Sequence, residues 1–224
     1  MVFELFRGTG ESQVESIEEA VAEMLATASE TLRMALDAMT RREDPAEIGS
    51  KLRKRDKSIN KVERAIRRQL IVHAGVRGSL ADAPVLFVYM AIAKDIERVG
   101  DLAKDMWDLA ANGADMSAPP LLEVANAVAE EVLYLINETS RIFGERDSEA
   151  AIGVLNRADQ DVDRYEEAMH AQLNGSEAAP AVASALFHRY VMRITAHLMN
   201  VLTAVVMPFE RLDYWDEDKI DREE

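Results

Sequence analysis

Four carboxylates, Glu97, Asp101, Asp105 and Asp108, follow one another at steps of four, four and three. On a helix that spacing lines them along one face. An earlier set, Asp56, Asn60 and Glu63, steps by four and three in the same way. Carboxylates facing one another from neighbouring helices repel unless a cation or basic side chains stand between them. Their oxygen donors suit hard ions such as magnesium, calcium, manganese or iron. Asp56, Asn60, Glu63, Glu97 and Asp101 are therefore the candidate metal ligands. The plainer alternative is a solvated face on which Lys61, Lys94 and Arg98 form surface ion pairs, each contributing roughly 0–1 kcal/mol. Spacing alone leaves both open.

The element that positions the later set is a helix. Ile92, Ile96, Val99, Ala103, Met106 and Ala110 alternate steps of four and three, the apolar seam of a packed helix. Gly100 lies between Glu97 and Asp101. Glycine inside a helix costs about 1 kcal/mol against alanine, so its position implies a close approach by another backbone or a ligand.

Five more helices are expected around this one. The first opens at a capping box, Ser12 with Glu15, and runs to Thr40 on the seam Ile17, Val21, Met24, Ala28, Ala35 and Met39. Asp44-Pro45 breaks it. The second runs from Ala46 to His73, with Leu52, Ile59, Val62, Ile66 and Leu70 as its core face and nine Lys and Arg between Lys51 and Arg68. The bland reading of that basic cluster is a solvated face. The functional one is docking onto an acidic partner, or pairing with the acidic segment Asp216 to Glu224. A loop marked by Gly75, Gly78 and Pro84 precedes the central helix, which spans Ala83 to just before Gly113. The later helices run over Leu121–Phe143, Ser148–Leu173 and from Pro180 to a stop at Pro208.

Composition narrows the function. The chain has 224 residues, a net charge of −15 and no cysteine. The charge argues against nucleic acid as main partner. The missing cysteines exclude disulfides, thiolate metal sites and cysteine nucleophiles. No run of about 18 apolar residues predicts a membrane span, and no signal-peptide pattern begins the chain, so a cytoplasmic location is expected. The aromatic start, Val2, Phe3, Leu5 and Phe6, would dock on the body or on a partner, with a membrane-touching anchor as the alternative; its single Arg gives little pull to anionic lipid. Neither a phosphate-cradling glycine loop nor a nucleophile elbow is present, and no enzyme is expected. Glu167-x-x-His170 has the form of a di-iron ligand pair, but such sites use two of them. His73 lies on the second helix, His188 and His197 lie on the sixth, and each reads as structural.

The halves repeat. Moved by 103 positions, the second helix falls on the fifth: Asp56 on Asp159, Asn60 on Asp163, Glu63 on Glu166. Moved by 95, the central helix falls on the sixth, seam on seam, but Glu97 meets Met192 and Asp101 meets Ala196. The expectation is an all-α protein of two pseudo-repeated antiparallel three-helix bundles. Its divisions are an N-terminal segment (1–11), a first bundle (12–113), a linker (114–120), a second bundle (121–207) and an acidic tail (208–224).

Asp56-x3-Asn60-x2-Glu63 on a middle helix and Lys94-Asp-Ile-Glu-Arg-Val-Gly-Asp101 with Ala103-Lys104 on the next resemble the PhoU family of phosphate-signalling regulators, over about Ser12 to Met207. The resemblance implies a pair of three-helix bundles. It implies a divalent or trivalent metal at the acidic motifs, iron above all, with magnesium, manganese, calcium or zinc as alternatives. It further implies a regulatory adaptor between the phosphate transporter and its sensor histidine kinase. Met192 and Ala196 depart from the pattern, so metal is expected on the first bundle only. Exposed seams would suit a homodimer. The competing readings are a metal-carboxylate, iron-handling bundle and a metal-free helical interaction module.

Overall fold

The computed structural model describes residues 11–77, 83–174 and 178–215. Among them are six long helices and no strand: α1 (Glu11–Met39), α2 (Pro45–Arg77), α3 (Ala83–Ala111), α4 (Leu121–Glu145), α5 (Ser148–Ala171) and α6 (Ala178–Val206). Short 3-10 turns follow α5 and α6, at Gln172–Asn174 and Phe209–Arg211.

The predicted seams are the core. Every seam residue named for α1 and α3 is buried, as are the α6 residues on which the α3 seam falls, Phe187, Val191, Ile194, Leu198, Val201 and Val205, and Leu52, Ile59, Ile66 and Leu70 of α2. Helices α1, α2 and α3 pack on one another, as do α4, α5 and α6; α3 lies on α6 and α1 on α4 across the two groups. Trp107, near the end of α3, donates from Nε1 to the Pro45 carbonyl at the start of α2, 2.8 Å away, so α2 and α3 are antiparallel. Arg41 closes α1 in the left-handed region, φ 57°. Its guanidinium donates to the carbonyls of Ala110 and Ala114, tying the ends of α1 and α3 together.

Three boundaries differ from the expectation. Helix α1 already includes Glu11, so the helix does not open at Ser12. Helix α2 passes through Gly75 to Arg77, beyond the predicted stop at His73. A lone helical glycine costs only about 1 kcal/mol, and buried His73 anchors the turn before it. Helix α6 begins at Ala178, ahead of Pro180, where a proline in the first turn forfeits no hydrogen bond. Asp44 caps α2 as the break at Asp44-Pro45 requires, accepting from the Ala46 amide at 2.8 Å. The aromatic start and residues 216–224 lie outside the described residues, and with them the readings placed there.

Candidate functional site

The acidic face lies where α2 crosses α3. A Cβ added to Gly100 would stand 2.7 Å from Ile59 Cδ1, so glycine lets the two helices approach at this level. The contact at Gly100 is with an apolar side chain of α2, and it sets the carboxylates flanking it against α2 as well.

Asp56 and Asp101 come together there. Burial pushes the Asp56 carboxyl above its usual range; Lys104 opposes the rise, and the neighbouring carboxylates Asp101 and Glu97 add to it. The Lys104 ammonium sits 3.9 Å from Asp56 Oδ1, 3.6 Å from Asp101 Oδ1 and 3.9 Å from Asp105 Oδ1. Burial alone would pull Lys104 down, but these three carboxylates outweigh it and hold its pKa above the ordinary lysine value. Asp105 is raised too, by burial first and then by Asp101 and Asp108, against Lys104.

The other candidates are engaged elsewhere. Glu97 is buried, and Lys94 Nζ donates to its Oε2 at 2.5 Å. Glu63 is buried with Arg67 Nη2 2.6 Å from its Oε1. Asn60 donates from Nδ2 to the Asp56 backbone carbonyl, 3.1 Å away. Asp101 also faces Arg98 at 3.5 Å. Each of the four carboxylates thus has a cation beside it.

The donors suit a hard cation in kind, since all are oxygens. In position, of the five candidates only Asp56 and Asp101 close on a common point, the Lys104 ammonium, which Asp105 also approaches. Among the described residues, no group of three His, Asp or Glu side chains stands where it could hold one ion. The arrangement is a two-carboxylate seat closed by the lysine of its own helix.

The matching place in the second bundle is different. Asp163 and Glu166 are exposed, as are Glu167 and His170. Arg164 instead bridges Glu131 of α4 at 2.9 Å and Asp161, and the Tyr165 hydroxyl donates to Glu131 at 2.9 Å.

One polar site had no signal in the sequence. His197 of α6 lies with Nδ1 2.8 Å from Asp95 Oδ1 of α3, and Asn200 donates to the same oxygen at 3.2 Å. Thr203, one turn further along α6, accepts from the Asp213 amide at 3.2 Å, which brings the segment after α6 back onto the helix. The Asp213 carboxyl is raised by burial and by Asp95, with His197 opposing. These partners are about a hundred residues apart, beyond any helical period.

Comparison with known proteins matches residues 21–110 to the PhoU domain model. That stretch holds all five candidate ligands. The chain is 23% identical over 201 residues to a protein of Synechocystis sp. named phosphate-specific transport system accessory protein PhoU homolog, covering 87% of this chain and 88% of that one. It is 24% identical over 201 residues to the phosphate-specific transport system accessory protein PhoU of Escherichia coli, covering 87% and 82%. The crystal structure of PhoU from Pseudomonas aeruginosa superposes with a TM-score of 0.75 at 20% identity, over 87% of this chain and 96% of that one. At that identity the superposition speaks for the fold.

Proposed function

We propose that this chain, similar over residues 21–110 to the PhoU domain and at 23–24% identity to PhoU proteins, is a non-enzymatic regulatory adaptor in phosphate uptake and phosphate signalling, working in the cytoplasm. The observation that carries the reading is the match of residues 21–110, the part that contains the α2–α3 acidic face, to the PhoU domain. Its partners are components of a phosphate transporter, a sensor histidine kinase, or both. The absence of a nucleophile–base pair in the sequence supports a role without chemistry of its own.

Within this reading Asp56, Asn60, Glu63, Glu97 and Asp101 are the residues that would hold a metal. Bound there, an ion would neutralise the crowded carboxylates and change the charge of a docking face. The chain's own part is to keep Asp56 and Asp101 together, which Gly100 does by admitting Ile59. A second reading, a metal-free interaction module, is favoured by the ammonium of Lys104, already placed between those two carboxylates.

Two measurements separate these. Capture of the tagged full chain from cells grown at low and high phosphate, read by mass spectrometry, is expected to enrich transporter subunits or the kinase. Enrichment of neither, at both phosphate levels, overturns the adaptor reading. Elemental analysis of the purified protein is expected to find metal in the wild type and none in Glu97→Ala/Asp101→Ala at unchanged helicity. Metal-free wild type with full partner binding selects the second reading.

A further inference from the structure

The geometry points to the outer ridge of α2 as a docking surface for an anionic lipid bilayer. Helix α2 carries ten Lys and Arg against three Asp and Glu, in a chain whose net charge is −15. Lys51, Lys54, Lys57, Lys61, Arg64 and Arg68 step by three, three, four, three and four, and all six are exposed. At a helical period five of the six lie across the helix from the buried face of Leu52, Ile59, Ile66 and Leu70, and Lys51 lies to one side. The row is about 26 Å long, at 1.5 Å per residue.

Described acidic side chains do not answer these charges. Among the described residues none of the six is in an ion pair, whereas Arg55 and Arg67 of the same helix are paired with Glu30 and Glu63. In an acidic protein, a row of exposed cations without an ion-pair partner among the described residues is a face attracted to an anionic surface. That attraction orients the molecule with α2 down.

Two features favour a bilayer over an acidic protein. Four of the six cations are lysines, compact hydrated charges that answer a diffuse negative field, while shape-specific recognition of carboxylates favours arginine forks. The row also continues into apolar side chains: Ile71 is 66% and Val72 48% exposed, three and four residues past Arg68. Charge along a ridge with an apolar tip is the pattern of side chains that rest on headgroups and dip between them. No described helix is long and apolar enough to cross a membrane, so the contact is peripheral.

The test is flotation of the full chain with phosphatidylcholine vesicles, with and without about 30% phosphatidylglycerol, at low and high salt. A chelator is present throughout, so that the α2–α3 carboxylates cannot bridge to lipid through an ion. Binding is expected on the anionic vesicles only, lost at high salt. Lys51→Glu/Lys54→Glu/Lys57→Glu/Lys61→Glu is expected to weaken it by more than about a hundred-fold, and Ile71→Ser/Val72→Ser by roughly ten-fold. All these positions are exposed, and circular dichroism checks that the variants stay helical. No excess binding to anionic vesicles overturns the proposal, as does equal binding by the fourfold variant. Tighter binding of poly-glutamate than of anionic vesicles at the same salt assigns the ridge to an acidic protein and overturns the lipid assignment.

Discussion

Asp56 of α2 and Asp101 of α3 both face the Lys104 ammonium, which lies 3.9 Å from the first and 3.6 Å from the second. Two carboxylates brought this close repel when both are ionised. The site therefore needs positive charge, and the lysine supplies it from within α3. A metal ion would compete with Lys104 for the same place.

Lys104→Ala is accordingly expected to strengthen binding of a hard divalent ion, with manganese as probe, by about ten-fold, the scale of one partly screened charge pair. Isothermal titration at low ionic strength measures it. Unchanged or weaker binding by the variant means that the ion, if bound at all, does not sit between Asp56 and Asp101.

The two glycines that admit neighbouring side chains are expected to respond unequally to alanine. A Cβ at Gly49 would stand 2.4 Å from Trp107 Cζ2, on a rigid indole held by its hydrogen bond to Pro45 and flanked by Arg53 at 5.0 Å. At Gly100 the obstacle is the terminal methyl of Ile59, which can turn away. Gly49→Ala should cost about 1–3 kcal/mol. Gly100→Ala should cost less, since removing a helical glycine returns up to about 1 kcal/mol. Urea unfolding of the two variants gives the order.

The helices and most of their buried faces were legible because apolar residues recur at the helical period. Ile92 to Ala110 is the clearest case. The acidic stripes were legible for the same reason, and so was the need for a close approach at Gly100. Which groups answer the carboxylates was not. A lysine three residues after Asp101 is common on any helix. Only the crossing of α2 over α3 carries the Lys104 ammonium to Asp56. His197 read as merely structural because its partner, Asp95, belongs to another seam. The capping box at Ser12 failed because local side-chain patterns do not set a helix start on their own.

His197 and Asn200 join α6 to α3 through the one Asp95 oxygen. His197→Ala removes one of these bonds and leaves Asn200 in place. The expected loss is about 1.5–3 kcal/mol, the scale of a hydrogen bond to a charged group. It should appear as faster amide exchange along the facing parts of α3 and α6, with the α2–α3 contact unaffected. Hydrogen exchange read by mass spectrometry checks this, and uniform acceleration through all six helices would contradict it.

His188 gives the fold a dependence on pH. It is 3% exposed, its ring meets Phe187 edge-on at 5.5 Å, and its Nδ1 lies 2.8 Å from the Ser184 carbonyl. Burial holds its pKa below the ordinary 6.5; the Ser184 bond opposes this and Arg164 adds to it. The unfolded chain therefore takes up a proton near 6.5 that the folded chain still refuses. The stabilisation is complete above that value and is lost as pH falls through the lower, folded pKa. Denaturant midpoints should stay level from about pH 8 to just above pH 6.5 and decline below it. His188→Gln should cost about 1–2 kcal/mol at neutral pH and flatten that decline. An unaltered slope in the variant would place the acid sensitivity on other groups.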